Sequence, residues 1–304
     1  MYKVGYVSIV GKPNAGKSTL INKLVGFKVA ITTSKPQTTR YNIKGIVTTK
    51  TSQIIFIDTP GIHMPENELG KKMMDGVNVA VKENDLLLYL VDAVKPKIDD
   101  STLKIFESIS KLNKKVVLAI NKIDKIEKEK ILKIIDMYVS KAKEFGFEFI
   151  EIIPISIYKN DGLDILLKVL EDNLEEGEKI YSDDEFTDMT EREIAEEVVR
   201  EKILTNLDEE VPHGVNVIVD SFKERVNENG KEVYDINASI ICSKMSHKPI
   251  IIGSNGSRLN HIKNQSKIEL EGILGVKINL KLFVKVRENW MENSNYFSNL
   301  KKFK

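Results

Sequence analysis

Gly11-Lys12-Pro13-Asn14-Ala15-Gly16-Lys17-Ser18 follows the apolar run Val4–Val10 and opens Ser18–Val25, a stretch at helical spacing. It matches the phosphate-loop pattern G-x-x-x-x-G-K-[ST] in the strand-to-helix setting that gives the pattern its meaning. The glycines let backbone N–H groups curl around phosphate oxygens, and the start of the following helix adds a favourable dipole. Lys17 is placed to bridge β- and γ-phosphates, and the Ser18 hydroxyl, with Thr19 behind it, to ligate Mg²⁺. The loop therefore points to a nucleotide-binding α/β domain.

The same alternation continues outward. Ile54–Ile57, Leu86–Val91, Val116–Ile120 and Ile150–Ile155 are further apolar runs, mostly rich in Val and Ile, and read as strands buried on both faces. Between them, Leu69–Lys82, Ser101–Lys111, Lys128–Phe145 and Leu163–Glu175 have helical spacing. Strand and helix in alternation predict a mostly parallel sheet with helices on both faces. Thr32–Val47 is expected to add one edge strand.

At 304 residues the chain has room for two domains. Its 41% hydrophobic and 30% charged residues exclude collagen-like, wholly disordered and disulfide-scaffold classes. The single cysteine, Cys242, reads as a buried, inert thiol, which fits a reducing compartment. No apolar run approaches the ~20 residues of a membrane span, and the amino terminus has no signal-peptide core, so the cytoplasm is the expected location. The net charge of +1 conceals a division: residues 1–172 carry 27 Lys+Arg against 21 Asp+Glu, residues 173–210 carry 4 against 15, and residues 211–304 carry 15 against 9. Such asymmetry hints at a polyanionic partner for one segment.

Residues 1–172 are read as the nucleotide domain and 173–190 as an acidic linker without apolar period. Thr190-Glu191-Arg192-Glu193 has the capping-box order, so a helix should run to about Leu207. Gly214–Val226 and Glu232–Cys242 flank Asn229-Gly230, a strong hairpin signal. An apolar stretch, Pro249–Ile252, precedes Gly253-Ser254-Asn255-Gly256, then a helical segment Ser257–Leu274 and a last strand Val276–Val286. The second domain is placed at 191–290, followed by a basic tail, 291–304.

Two more strand ends carry chemistry. Asp58-Thr59-Pro60-Gly61 supplies a carboxylate for Mg²⁺ and, at Gly61, an N–H that no side chain keeps from a γ-phosphate. Asn121-Lys122-Ile123-Asp124 supplies a carboxylate able to accept from both guanine N1–H and the 2-amino group, donors that adenine lacks. Ser156-Ile157 ends the next strand, where a backbone N–H could meet guanine O6.

These elements, in this order, resemble GTPases of the translation-factor class. Thr38-Thr39-Arg40 within Gln37–Tyr41 resembles their switch I, with Thr39 a Mg²⁺ ligand, and Asp58–His63 their switch II. Gly253–Gly256 between helical stretches resembles the G-x-x-G clamp of a KH domain. A GTPase domain joined to a type II KH domain resembles the Era family, over residues 3 to about 290. That resemblance implies a GTP-hydrolysing switch that binds GTP and GDP, reads single-stranded RNA near the 3′ end of 16S rRNA, and assists assembly of the 30S subunit. It implies a monomer, in the cytoplasm or peripheral at the inner face of the cell membrane. RNA-binding candidates are Lys244, Lys248, the loop residues Gly253, Ser254, Asn255 and Gly256, Arg258, Lys263 and Lys267. Catalytic candidates are Lys17, Thr39, Gly61 and Asn14, the last because related GTPases associate that asparagine with a bound K⁺.

The chain departs from the family pattern in places. Ser254-Asn255 carries no basic residue, Arg258 lying just outside, and Ile157 replaces a small residue. Ile62 follows Gly61 where other GTPases orient water with glutamine, so slow intrinsic hydrolysis is expected. His63 is the nearest titratable group, though a surface turn histidine suits it better than a base. Two competing readings are a P-loop phosphotransferase or ATPase, which Asn121–Asp124 argues against, and a membrane-peripheral GTPase timer anchored by Lys301-Lys302-Phe303-Lys304, too short a tail for stable attachment alone.

Asp124→Asn should lower GTP affinity by about 2–4 kcal/mol, because charge-assisted bonds are lost and a donor is left unpaired. Xanthosine triphosphate should then bind better than GTP in direct competition. Unchanged GTP affinity would remove Asp124 from the base site.

Overall fold

The structure is a computed structural model that describes residues 1–33, 35, 38–62, 64–208 and 211–293. Gln37, His63 and residues 294–304 of the basic tail lie outside the described residues.

Nine-residue β1 (Lys3–Gly11) leads into α1 (Lys17–Val25), and the chain continues through β2 (Ile43–Thr48), β3 (Ser52–Asp58), α2 (Glu68–Glu83), β4 (Leu86–Asp92), α3 (Asp100–Leu112), β5 (Val116–Asn121), α4 (Lys128–Glu144), β6 (Glu151–Ile155) and α5 (Leu163–Asp172). The sheet order is β2-β3-β1-β4-β5-β6, all parallel except β2, which runs antiparallel to β3. The apolar runs form strands because both faces are covered. In β4, Leu86, Leu88 and Leu90 join Val7, Ile9, Leu166 and Leu170 on the face covered by α1 and α5. Leu87, Tyr89 and Val91 join Val77, Phe106 and Tyr138 on the face covered by α2, α3 and α4. Each such side chain contributes about 1.5–3 kcal/mol by leaving water, so a one-residue slip would change every partner on both faces.

β1 is followed in space by β3 on one side and β4 on the other. The loop after β1 therefore lies at the topological switch point, outside the carboxyl ends of the strands, where open α/β sheets bind ligands.

Two expectations change. Thr32–Val47 yields strand only from Ile43, because the residues before it are held over the nucleotide pocket by contacts outside the sheet. The helix expected to reach Glu175 ends at Asp172, whose carbonyl accepts from Lys3 Nζ at 2.8 Å. Beyond it β7 (Glu175–Glu176) pairs antiparallel with Lys3 and Val4.

The acidic linker is strapped to the first domain. The side chain of Gln53 accepts from the amides of Ile180 and Tyr181, each at 2.9 Å, and donates to Tyr181 O. Ile46 N donates to Phe186 O, Phe186 stacks on Phe27, and Lys44 pairs with Asp188 at 2.7 Å.

The second domain begins at α6 (Glu191–Asn206), where the expected capping box forms: Glu193 N donates to Thr190 Oγ1 and Thr190 N to Glu193 Oε2. Then come β8 (Val215–Val226), β9 (Glu232–Cys242), α7 (His247–Ile252), the glycine loop, α8 (Ser257–Leu274) and β10 (Lys277–Val286). β8 and β9 are antiparallel, β10 is parallel to β9, and the order is β10-β9-β8. The hairpin turn uses Asn227 as well as Asn229-Gly230: Asn227 Oδ1 accepts from the amides of Asn229 and Lys231. The inward face of this sheet, with Ile236, Ala238, Ile240 and Ile278, packs against Ala195, Val199, Ile262 and Leu270 of the helices. Cys242 belongs to that core, and burial pushes its thiol up, as an inert side chain requires.

The two domains are in contact. Leu69 and Met73 of α2 pack against Ile241 and Trp290, with Ile218 alongside. Lys28 of the first domain sits between Glu201 of α6 and Glu269 of α8.

Candidate functional site

The phosphate loop is drawn tight by its own lysine. Lys17 Nζ donates to Gly11 O at 3.0 Å and Lys12 O at 3.1 Å. Burial lowers the pKa of this ammonium to about 8, against the raising effect of Asp58. Bound phosphates would replace those carbonyl partners with full negative charge. The loop's glycines are required by close approach. A Cβ on Gly16, at φ 105°, would lie 2.5 Å from Asn121 Nδ2, and one on Gly61 would lie 2.9 Å from Pro13 N. Switch II and the phosphate loop therefore touch backbone to backbone.

Ser18, Thr39 and Asp58 converge as expected for Mg²⁺. Ser18 Oγ donates to Asp58 Oδ2 at 2.7 Å, Thr39 Oγ1 donates to the same oxygen at 3.2 Å, and the two hydroxyls are 3.0 Å apart. Asp58 Oδ1 is buried and has no hydrogen-bond partner. Burial raises the Asp58 pKa, opposed by Lys17 and by the two hydroxyl bonds. Two hydroxyls and a buried carboxylate with one orphaned oxygen are the hard donor set a divalent cation takes.

Pro13, Asn14, Gly16, Lys17, Ser18, Thr19, Thr38, Thr39, Gly61 and Lys122 line one cavity of about 320 Å³. Asn14 has φ 62°, a conformation asparagine tolerates, and its carbonyl accepts from Lys122 Nζ at 2.8 Å. Lys12 instead turns outward and pairs with Asp99 at 2.6 Å. Ile62 is buried among Val10, Val77 and Val81, and its N–H donates to Gly11 O at 3.1 Å. Neither its side chain nor its amide is offered to water. Thr59 Oγ1 donates to Ile9 O, so this hydroxyl braces β1 and not the nucleotide.

The base motif adjoins this cavity. Gly16, Thr19, Asn121, Lys122, Asp124 and Ile157 line a cleft of about 690 Å³. Asn121 Nδ2 donates to Ala15 O at 2.9 Å, tying β5 to the phosphate loop. Ser156 Oγ donates to Asp124 Oδ1 at 2.6 Å and orients the carboxylate. The Ser156 amide donates to Asp161 O at 3.0 Å, so of the Ser156-Ile157 pair it is the hydroxyl of Ser156 that faces Asp124. The neighbouring Ile157 amide makes only a long 3.3 Å bond to Asn121 Oδ1 and is the N–H left for guanine O6.

Sequence reasoning missed the partners of these residues. Asp92 pairs with Lys122 at 2.6 Å and holds the base-side lysine in place. Thr32 and Thr33 line the phosphate cavity. The largest omission lies across the domain boundary. Arg200 Nη2 of α6 donates to Thr38 O at 2.6 Å, and the same guanidinium grips Glu197 through Nε and Nη2. Arg40 Nη1 donates to Val215 O at 2.7 Å, and its guanidinium lies 5.6 Å from the Trp290 ring centre. Trp290 in turn donates from Nε1 to Gly214 O. Glu201 Oε1 accepts from Thr32 N at 2.9 Å. Thr39 thus faces the metal position while both flanking residues are held by the second domain.

In the second domain the glycine loop exposes Ser254 and Asn255. Lys244 and Arg258 are exposed, and Lys248, Lys263 and Lys267 are partly so. Arg258 Nη1 donates to Ile250 O at 2.7 Å, so it braces the loop from α8 to α7. Lys267 lies 3.9 Å from Glu271, and Lys263 bonds Asn260, which leaves Lys244 and Lys248 as the less engaged cations.

The fold and both sites define a phosphate-loop GTPase followed by a carboxy-terminal KH domain. Residues 6–122 match the family of 50S ribosome-binding GTPases, and residues 210–291 match the KH domain. The chain is 47% identical over 300 residues to the GTPase Era of Ruminiclostridium cellulolyticum, covering 98% of this chain and 97% of that one. It is 45% identical to the GTPase Era of Clostridioides difficile, covering 98% of each. A crystal structure of Era with MgGDPNP and nucleotides 1506–1542 of 16S ribosomal RNA superimposes with a TM-score of 0.92 at 39% identity, covering 99% of both chains. The chain belongs to the Era family and is a GTP-hydrolysing enzyme.

Arg200→Met keeps the apolar stem and removes the bond to Thr38. It should weaken binding of a Mg²⁺·GTP analogue about tenfold while GDP affinity stays within about twofold, since a hydrogen bond to a charged group contributes about 1.5–3 kcal/mol. Calorimetric titration of both nucleotides checks this, and equal losses for the two would sever Arg200 from switch I.

Proposed function

We propose that the protein is a GTP switch that binds the single-stranded 3′ region of 16S rRNA through Gly253–Gly256 and assists assembly of the 30S subunit. The observation that carries this reading is the grip of the second domain on Thr38 and Arg40, on either side of metal-facing Thr39. It joins the nucleotide site and the RNA-binding domain through adjacent residues. The relative that holds MgGDPNP and a 16S fragment in one structure supports the same pairing of ligands. Mg²⁺ would sit on Ser18, Thr39 and Asp58 and supply charge neutralisation between β- and γ-phosphates. The chain's own part is to orient those phosphates by Lys17 and the loop amides. Nucleotide-domain residues 1–172, the linker 173–190 and the RNA-binding unit 191–290 are the proposed working divisions. Among the described residues no helix is long and apolar enough to cross a membrane. A ribosomal target supports a cytoplasmic location.

Replacing Ser254 and Asn255 together by Asp sets two negative charges against RNA phosphates. Single-stranded RNA should bind at least about tenfold more weakly at moderate salt, with GTP affinity unchanged. RNA affinity that survives both changes would overturn the assignment of this loop.

With Ile62 unable to orient water, a monovalent cation is proposed to assist hydrolysis. Asn14 lines the phosphate cavity, and its carboxamide oxygen is a suitable hard ligand for K⁺. GTP turnover should be faster in KCl than in NaCl at matched ionic strength, and Asn14→Ala should abolish the difference. Equal rates in the two salts would leave Asn14 a loop-shaping residue only.

A further inference from the structure

The second domain's sheet has two faces, and the helices cover only one. On β10 the residues alternate strictly: Ile278 and Leu280 are buried toward the helices, whereas Lys277, Asn279, Lys281, Phe283 and Lys285 point the other way. Their parallel partners on β9 are Val233, Asp235, Asn237, Ser239 and Ile241. β8 adds Ser221, Lys223 and Arg225 to the same face, opposite Asn237, Asp235 and Val233.

This face is organised. Asp235 accepts from Arg225 Nε at 2.6 Å and Asn279 Nδ2 at 2.8 Å. Asn237 donates to Ser221, and Asp220, at the β8 irregularity, takes both the Ser239 hydroxyl and Lys285. Five cations, Lys223, Arg225, Lys277, Lys281 and Lys285, share the surface with two carboxylates, Asp220 and Asp235, and Lys277 also pairs with Glu271 of α8 at 3.3 Å. In the middle stands Phe283, a phenylalanine left 49% exposed between Lys281 and Lys285 on a polar strand face. Among the described residues no ion pair engages Lys223 or Lys281.

We propose that this outer face is a second RNA platform, on which an unstacked base lies against Phe283 and Lys281 and Lys285 hold the flanking phosphates. The chemistry is that of single-strand binders, in which an aromatic ring accepts any base and basic side chains follow the backbone. The surplus of positive charge selects a polyanion. Position supports the same occupant. β10 is the edge strand of the sheet, and α7 and α8, which carry the glycine loop, pack on its other side. A G-x-x-G clamp holds only four nucleotides of backbone, so a longer RNA needs a second surface. At the Lys285 end the platform meets the first domain: Ile241, the register partner of Lys285, packs with Leu69 and Met73 of α2, with Ile218 alongside. RNA on the platform would therefore lie next to the helix that follows switch II.

The inference rests on RNA as the partner of this domain, and the test separates the two. Two single-stranded oligoribonucleotides are titrated, one of about six nucleotides that fills the clamp alone and one of about twenty that can reach both surfaces. The double variant Lys281→Ala/Phe283→Ala should bind the long RNA about tenfold or more weakly, the loss of one stacked base and one phosphate contact. Its salt dependence should be shallower, while short-RNA affinity and GTP affinity remain unchanged. The milder Phe283→Tyr should restore most of the long-RNA binding, because the ring is kept. Equal long-RNA affinity in wild type and the double variant overturns the platform. So would sedimentation showing that the double variant converts a dimer to a monomer without touching RNA affinity. Loss of neither RNA on changing Ser254 and Asn255 to Asp would instead refute the parent assignment of the clamp.

Discussion

A single guanidinium ties the molecule together. Arg200 is buried in α6 and neutralised by Glu197, and its remaining reach goes to the carbonyl of Thr38. Burying such a pair without good geometry costs several kcal/mol, and here Glu197 and Thr38 engage Nε and Nη2 while Nη1 is buried without a hydrogen-bond partner, so the charge depends on those two contacts. Switch I cannot leave the phosphate cavity without stripping a partner from a charge that water does not reach. The penalty for opening is thus set in the second domain, although the ligand sits in the first.

The remaining contacts multiply that constraint. Arg40 reaches Val215 O while lying over Trp290, and Trp290 is itself fixed by Gly214 O and by Leu69 and Met73 of α2. Switch I and the helix after switch II therefore meet on the same indole. The Lys28, Glu201, Lys202 and Glu269 group closes the other side of the contact. Interactions of this kind are cooperative, because removing one charge leaves its neighbours desolvated and unmatched.

The fold was legible where one residue type had one physical meaning. Two-sided apolar runs such as Leu86–Val91, bounded by turns and alternating with helical stretches, read as central strands, and Gly11–Ser18 between strand and helix reads as a phosphate cradle. Thr190 and Glu193 announced their helix because a capping box is local. Asp124 was legible as a base reader, but the bond from Ser156 that aims it was not, since the two are brought together by adjacent strands. Glu196, Glu197, Arg200 and Glu201 look like a solvated helix face, yet all four are buried. Arg200 and Glu201 find Thr38 and Thr32 more than 160 residues earlier in the chain, and no periodicity reveals a match that distant. The strap of Gln53 on Ile180 and Tyr181 was hidden for the same reason.

That strap has a mechanical consequence. A free acidic tether would let the RNA-binding domain wander, and the gain from tethering would be only a raised local concentration. Here the chain is clasped to β3 at residues 180 and 181, to β2 at Phe186, and to Lys44 through Asp188. Only Met189 and Thr190 separate the last clasp from the first turn of α6. Any swing of the second domain has its pivot confined to those two residues, so the domain turns as a door on a fixed post. Its arc is repeatable, and β3, the strand that carries Asp58, forms part of the frame.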